Sequence, residues 1–357
     1  MSFFRRWLMV KEVDPDQQLT GVYPDRTVRQ QVYRDMYSCE YDPEPFIMYR
    51  IKKNLVRCSW STDGKGFVRV THAPGPAPLR VLLLGDSVTF GLGLSHTGEN
   101  IASQLEKALL ERSDVRERGL SVINCSQPGY SLLQQVLYSR YFLSGEDVPD
   151  IVLLWCGFND VHNAFYSPDF GGPIPLLDPC TPAVRRLGRM LLKLLPAAFL
   201  KLMMGSELAT RVHSDKRRLG RRFADDKYLY VTLFADFKAR WEREGARVMV
   251  LLQPYLGGGN RSLTPCEQVV LAKRRALIGR QFALDVLSVY ADAYRRFEEW
   301  LKEAGCDCLN LVDVLDAQTG QMFVDRVHLT PRAIETIAQR VARAVLESGR
   351  RIRMGER

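Results

Sequence analysis

A serine, a histidine and an aspartate stand in sequence contexts that suit nucleophilic catalysis. Ser87 lies in the segment Gly85-Asp-Ser-Val-Thr-Phe-Gly91, directly after an apolar run, and His328 follows Asp325 by three residues near the end of the chain. A serine hydroxyl is a weak nucleophile unless a nearby base takes its proton. A neutral imidazole can take that proton, and a carboxylate on its other nitrogen fixes the tautomer and stabilises the imidazolium. The residue types therefore predict Ser87 as nucleophile, His328 as base and Asp325 as the residue that orients the base.

The elements that must position these side chains are short apolar runs alternating with amphipathic stretches. Five runs have the near-continuous apolar character of strands buried on both faces, namely residues 80–85, 121–124, 150–155, 247–252 and 308–312. Helical patterns lie between them at 100–112, 228–244 and 284–304, and a last helix begins at Pro331. This alternation predicts an α/β protein, a flavodoxin-like three-layer α/β/α sandwich with a five-stranded parallel sheet.

In such a fold Ser87 would lie at the carboxyl edge of the sheet, where α/β proteins bind their ligands. The helix that follows would direct free backbone N–H groups and the positive end of its dipole towards an anion formed there. Gly85 would let the chain turn sharply without a Cβ clash. A purely structural alternative stays open, because Asp86 and Ser87 are also good helix-capping residues.

Three further blocks follow the Ser87 block in order. Asn124-Cys-Ser-Gln-Pro-Gly129 and Gly157-Phe-Asn159-Asp160 come after the next two strands, and Asp325-Arg-Val-His328 precedes the last helix. In these four blocks the sequence resembles the SGNH/GDSL hydrolase superfamily over residues 79–348, apart from a basic insertion. The resemblance implies the SGNH hydrolase fold and a serine ester hydrolase that forms an acyl-serine intermediate.

The resemblance also implies an oxyanion hole. Its donors would be the backbone N–H of Ser87, the backbone N–H of Gly129 and the side-chain amide of Asn159, each aimed at the oxygen of a tetrahedral intermediate. Structural roles are open beside these, since Gly129 also suits a tight turn and Asn159 a helix cap.

Other polar residues near the blocks are expected to have lesser parts. Asp86 and Asp160 would brace loops, and His162, just after the Asn159 block, could face the substrate.

The eight cysteines include no CxxC pair, and neither a Walker loop nor a His-Glu-x-x-His motif is present. We therefore expect no metal and no organic cofactor.

The character of the sequence changes near residue 77. Residues 1–77 are predicted to form an N-terminal accessory region with short strands, such as the alternating stretch 67–72, and the Pro- and Gly-rich stretch 73–78 marks its end. Residues 78–357 are predicted to form the hydrolase domain, with a helical basic insertion at about 165–226.

The insertion accounts for the basic character of the chain. The formal net charge is +9, and residues 185–222 alone carry an excess of that size. Leucines at helical spacing accompany these cations, so the stretch could pack on its own protein or contact a membrane surface. Aromatic residues suited to base stacking are not interleaved with the cations, and no nucleic-acid partner is expected.

Composition limits the class of protein. With 46% hydrophobic and 25% charged residues, the chain is predicted to be globular rather than disordered. No apolar run suits a signal peptide or a membrane span, which favours a cytoplasmic protein with peripheral membrane association as an option.

The substrate class stays open at the sequence level. The leucines and methionines of residues 191–204 suit an apolar lid over an acyl chain, whereas the N-terminal region could frame a cleft for an O-acetyl carbohydrate. The expected partner is thus a small-molecule, lipid or carbohydrate ester. The same residues would also serve an acyltransferase acting on a sugar or natural-product hydroxyl, and a non-catalytic binding protein of this fold is a third alternative.

Overall fold

The computed structural model describes residues 18–44, 47–68, 70, 78–143, 148–166, 227–278 and 280–354. The strands are β1 (Tyr41–Glu44), β2 (Met48–Ile51), β3 (Leu79–Leu84), β4 (Leu120–Asn124), β5 (Ile151–Cys156), β6 (Arg247–Leu252) and β7 (Asp307–Asn310). The α-helices are α1 (Arg26–Met36), α2 (Ser87–Phe90), α3 (Ile101–Leu110), α4 (Ser113–Arg118), α5 (Leu132–Phe142), α6 (Phe158–Tyr166), α7 (Lys227–Arg243), α8 (Pro265–Ile278), α9 (Arg280–Glu303) and α10 (Pro331–Met354).

Strands β3 to β7 form one parallel sheet in the order β4-β3-β5-β6-β7. Numbered along the chain from β3, this is the flavodoxin-like order 2-1-3-4-5. Every residue of the central strand β5 is buried, as expected for a strand covered on both faces. Helix α10 packs against α3, while α7 packs against α5 and α9. The predicted fold class is confirmed.

Capping residues define where the helices around the sheet begin. The side chain of Asn100 accepts a hydrogen bond from the backbone N–H of Ser103 at 2.8 Å at the start of α3. Ser131 and Gln134 form a capping box at the start of α5. Pro331 occupies the first position of α10, where its missing N–H costs nothing.

The N-terminal residues pack onto the sheet rather than standing apart from it. Strands β1 and β2 form an antiparallel hairpin, and the backbone N–H of Val68 donates to the carbonyl of Asn124 on the edge strand β4 at 3.0 Å. Of the strand predicted at 67–72, the described residues show only isolated bridges, which pair Val68 with Thr62 and with Asn124. A buried cluster joins the segment to the rest of the protein. Its members are Leu19, Tyr23, Val32, Met36, Ile51, Trp60, Val68, Phe90, Leu92 and Val324.

The predicted basic insertion lies mainly outside the described residues, as do all of residues 185–222. That the insertion is helical, and that it contacts a membrane surface, therefore stay predictions. The same holds for the domain boundary at residue 77. Among the described helices, none combines the length and the apolar character that crossing a membrane requires.

Candidate active site

The four sequence blocks meet at the carboxyl edge of the parallel sheet. Ser87 follows β3, Gly129 lies in the turn after β4, and Asn159 lies in the first turn of α6 after β5. Ser87, Asn159, Asp325 and His328 are half-buried, and Gly129 is exposed. The structure thus brings all of the predicted site residues to one accessible region.

Ser87, His328 and Asp325 form a continuous series of polar contacts. The Oγ atom of Ser87 lies 2.9 Å from Nε2 of His328, and Nδ1 of His328 lies 2.7 Å from Oδ2 of Asp325. The other carboxylate oxygen of Asp325 accepts the backbone N–H groups of Val327 at 2.9 Å and of His328 at 2.8 Å. The tight turn therefore holds the carboxylate against the imidazole, as its spacing of three residues predicts.

The contact between Asp325 and His328 favours the charged form of both groups. Burial acts to raise the pKa of the Asp325 carboxyl, but the positive charge and hydrogen bonds of His328, with the N–H of Val327, hold it well below its usual range. Burial acts to lower the pKa of His328, yet the charge and hydrogen bond of Asp325 raise it above the ordinary histidine value. His328 is therefore a stronger base than an isolated imidazole.

The segment around Ser87 differs in one respect from the prediction. Helix α2 has only four residues, because Gly91 adopts a left-handed conformation with φ of 102° and ends it. A single turn has little macrodipole, so the predicted dipole effect on an anion is small. Asp86 caps this turn by accepting the backbone N–H of Val88 at 2.9 Å.

Gly85 is required by a close approach rather than by its backbone angles. A Cβ atom placed there would lie 2.1 Å from Oγ1 of Thr89, whose side chain is fully buried. Thr89 in turn donates to the carbonyl of Asp86 at 3.2 Å. Glycine is thus needed at position 85 because the side chain of Thr89 in α2 packs against its backbone.

The three predicted oxyanion donors differ in the hydrogen bonds that they make within the described part of the chain. Among the described residues, none accepts a hydrogen bond from the backbone N–H of Ser87 or of Gly129. The amide of Asn159, in contrast, donates through Nδ2 to Oδ2 of Asp86 at 3.1 Å and to the carbonyl of Tyr130 at 3.0 Å. Asn159 must therefore redirect or share one of these bonds to reach a bound oxygen atom.

Asp86 and Asp160 both brace loops, in line with their expected role. Asp86 holds α2 and Asn159, and Asp160 accepts the backbone N–H of Leu132 at 2.9 Å through Oδ1. Burial raises the pKa of Asp86 to about 6 and that of Asp160 to about 7. Both carboxyls are therefore protonated more readily than surface aspartates.

His162 lies one helical turn after Asn159 on α6 and is half-buried. Its ring stacks on Phe158 with 5.7 Å between centroids, and its Nδ1 atom lies 3.3 Å from the hydroxyl of Tyr290. The expectation that it faces the substrate stays a prediction.

Sequence reasoning missed the contribution of the N-terminal residues to this region. Tyr49 of β2 donates a hydrogen bond to the carbonyl of Pro128 at 2.9 Å. A Cβ atom on Gly129 would lie 2.8 Å from the Tyr49 hydroxyl. Met36 lies near Gly93, which in turn lies against His328. No local pattern could reveal these contacts, because their partners lie far apart in the chain.

Comparison of the sequence with protein-family models and with curated proteins found no match. Several solved structures are similar at low identity. A variant of an acetyl-xylooligosaccharide esterase from Geobacillus is 12% identical over 75% of this chain and 94% of its own, with a TM-score of 0.44. LAE5, an α/β hydrolase from the Lake Arreo metagenome, is 17% identical over 74% and 94%, with a TM-score of 0.40. A GDSL-like lipase from Bacteroides thetaiotaomicron is 13% identical over 76% and 89%, with a TM-score of 0.38. With TM-scores below 0.5, these similarities do not decide the chemistry of the site.

Proposed function

We propose that the chain is a serine ester hydrolase of the SGNH/GDSL type that works through an acyl-serine intermediate. The observation that supports this most directly is the series of contacts from Ser87 through His328 to Asp325, at 2.9 and 2.7 Å. Acyl transfer by a serine requires a hydroxyl that is hydrogen-bonded to a base, and a base that is hydrogen-bonded to an orienting carboxylate.

In the first half of the proposed reaction, Oγ of Ser87 attacks the ester carbonyl carbon while Nε2 of His328 takes the hydroxyl proton. The carboxylate of Asp325 accepts a hydrogen bond from the Nδ1–H group of His328 and stabilises the imidazolium without taking its proton. The tetrahedral intermediate then collapses. The bond to the alkoxy oxygen breaks, and this oxygen leaves as an alcohol with the proton from Nε2.

In the second half, a water molecule attacks the acyl-serine while Nε2 of His328 takes one of its protons. The second tetrahedral intermediate releases the carboxylic acid, and the proton returns to Oγ of Ser87. The net reaction is the addition of water across the ester bond, with no change of oxidation state.

The negative oxygen of both intermediates would bind to the free N–H groups of Ser87 and Gly129. Asn159 would supply a third donor by turning one N–H from the carbonyl of Tyr130 towards the oxyanion, while Asp86 retains the other. Each such donor typically lowers the barrier by about 3–4 kcal/mol.

Replacement of the nucleophile tests the proposal. We expect Ser87→Ala to lower kcat on p-nitrophenyl esters by about 10⁴-fold or more and to abolish labelling by a fluorophosphonate, with an unchanged circular dichroism spectrum. Ser113→Ala is the matched control, because Ser113 is exposed at the start of α4. Full activity or normal labelling of Ser87→Ala would exclude this mechanism.

The acceptor and the acyl group are separate questions within the same chemistry. Added alcohols that capture the acyl-enzyme faster than water would favour an acyltransferase over a hydrolase. A p-nitrophenyl ester series from acetate to palmitate distinguishes an acyl-chain esterase from an O-deacetylase. If Ser87 does not react with fluorophosphonate, the alternative of a non-catalytic binding protein of this fold is favoured.

A further inference from the structure

The N-terminal hairpin is hydrogen-bonded to the turn that contains Gly129. The hydroxyl of Tyr49 donates to the carbonyl of Pro128 at 2.9 Å, and the backbone N–H of Ile51 donates to Oε1 of Gln127 at 2.8 Å. In the reverse direction, the hydroxyl of Tyr130 donates to the carbonyl of Tyr49. The hairpin therefore forms hydrogen bonds with the first, second and fourth residues of this turn, namely Gln127, Pro128 and Tyr130.

The geometry of the turn makes the bond from Tyr49 consequential. The backbone N–H of Tyr130 donates to the carbonyl of Gln127 at 3.2 Å, and Gly129 has φ of 82°. With proline second and a left-handed glycine third, this is a type II β-turn. Types I and II differ by a flip of the central peptide group, which here joins Pro128 to Gly129.

The carbonyl of Pro128 and the N–H of Gly129 belong to that one planar peptide group. A hydrogen bond to the carbonyl oxygen therefore fixes the direction in which the N–H points. It also polarises the amide, which makes the N–H a stronger donor. Tyr49 is the donor to this carbonyl, and its ring is held by edge contacts with Tyr41 and Tyr130, with centroid distances of 4.8 and 5.5 Å.

We propose that Tyr49 is a positioning residue for catalysis, and that its hydroxyl holds the Pro128–Gly129 peptide with the N–H of Gly129 directed at the oxyanion. The inference rests on the proposed function of the site. It assigns a catalytic contribution to the N-terminal region, which the sequence predicts as an accessory region that could frame a substrate cleft. In this role Tyr49 acts through the Pro128–Gly129 peptide group.

The test is Tyr49→Phe in the full chain, which removes the hydroxyl and keeps the ring. We expect kcat and kcat/KM on p-nitrophenyl acetate to fall together by about 10- to 100-fold, with KM nearly unchanged, because the lost interaction is made only in the transition state. The apparent pKa of the acid limb of kcat/KM should not move, since it reports His328. Tyr228→Phe, at an exposed tyrosine of α7, is the matched control and should behave as wild type.

Rates are divided by the number of sites that fluorophosphonate labels at completion, so that unfolded molecules do not count. A per-site kcat equal to wild type would overturn the inference, whatever the melting temperature. A rise in KM at constant kcat would also overturn it, because it would indicate a substrate contact instead. Failure of the proposed function itself is distinguished by Ser87→Ala: if that variant is active, the site assignment is wrong, and if it is inactive while Tyr49→Phe is normal, only the role of Tyr49 is wrong.

Discussion

The Nε2 atom of His328 lies 2.9 Å from Oγ of Ser87, although 241 residues separate them in the chain. Two backbone bonds hold the histidine loop in place for this contact. The N–H of Val324 donates to the carbonyl of His328 at 2.8 Å, and the N–H of Leu256 donates to the carbonyl of Arg326 at 2.9 Å. The histidine loop is thus held by a bond within itself and by a bond to the segment that follows β6.

The pH dependence of the activity should report the protonation of His328. Asp325 raises the pKa of His328, and only the neutral imidazole can accept the proton of Ser87. We therefore expect kcat/KM to decrease as the pH falls through a midpoint above about 6.5, the ordinary histidine value. A pH–rate profile on p-nitrophenyl acetate measures this midpoint.

The matched comparison is Asp325→Asn, which removes the charge and keeps the size of the side chain. Its acid limb should shift to lower pH, and its kcat should fall by about 10⁴-fold. An unchanged midpoint in the variant would show that the limb belongs to another group.

Removal of the Asn159 amide should weaken the stabilisation of the oxyanion. We expect Asn159→Ala to lower kcat by about 10²- to 10³-fold, with little change in KM, because the bond is made only in the transition state. Steady-state kinetics on the same ester measure both constants, and Asn260→Ala, at an exposed loop residue, is the control. A loss smaller than about tenfold would mean that Asn159 serves Asp86 and Tyr130 rather than the substrate.

Asp160 should make the stability of the protein depend on pH. Its Oδ2 atom is buried without a hydrogen-bond partner among the described atoms, and burial raises its pKa from 3.8 to about 7. Between these two values the folded state binds more protons than the unfolded state, so the free energy of unfolding decreases as the pH rises. Asp160→Asn removes this contribution.

Relative to wild type, we expect the Asp160→Asn variant to gain stability by up to about 1.4 kcal/mol per pH unit across that window, and no further above it. Urea denaturation at several pH values measures the difference. Asp236→Asn, at an exposed residue of α7, is the matched control. If the difference in the free energy of unfolding between variant and wild type does not change with pH, Asp160 is already ionised in the folded protein at the lower end of this pH window.

The parallel sheet could be predicted from the sequence because each strand is a continuous apolar run with a clear end. The bounds of β6, residues 247–252, match the prediction, and β5 is shifted by one residue. The short length of α2 was missed, because the capacity of Gly91 for a left-handed conformation does not show whether the chain uses it. The hydrogen bond from Tyr49 to Pro128 was missed as well, since the two residues lie 79 positions apart and no periodicity relates them.

The buried cluster that joins the N-terminal segment to the rest of the protein has a consequence for thermal inactivation. Trp60 packs edge-on against Phe90, with 5.0 Å between ring centroids, and Phe90 ends the helical turn that begins at Ser87. Val324, in the same cluster, directly precedes Asp325. Melting of the N-terminal segment would expose these side chains to water, one close to Ser87 in the chain and the other next to Asp325. The segment and the site should therefore unfold as one cooperative unit, and heat should not leave an active core behind.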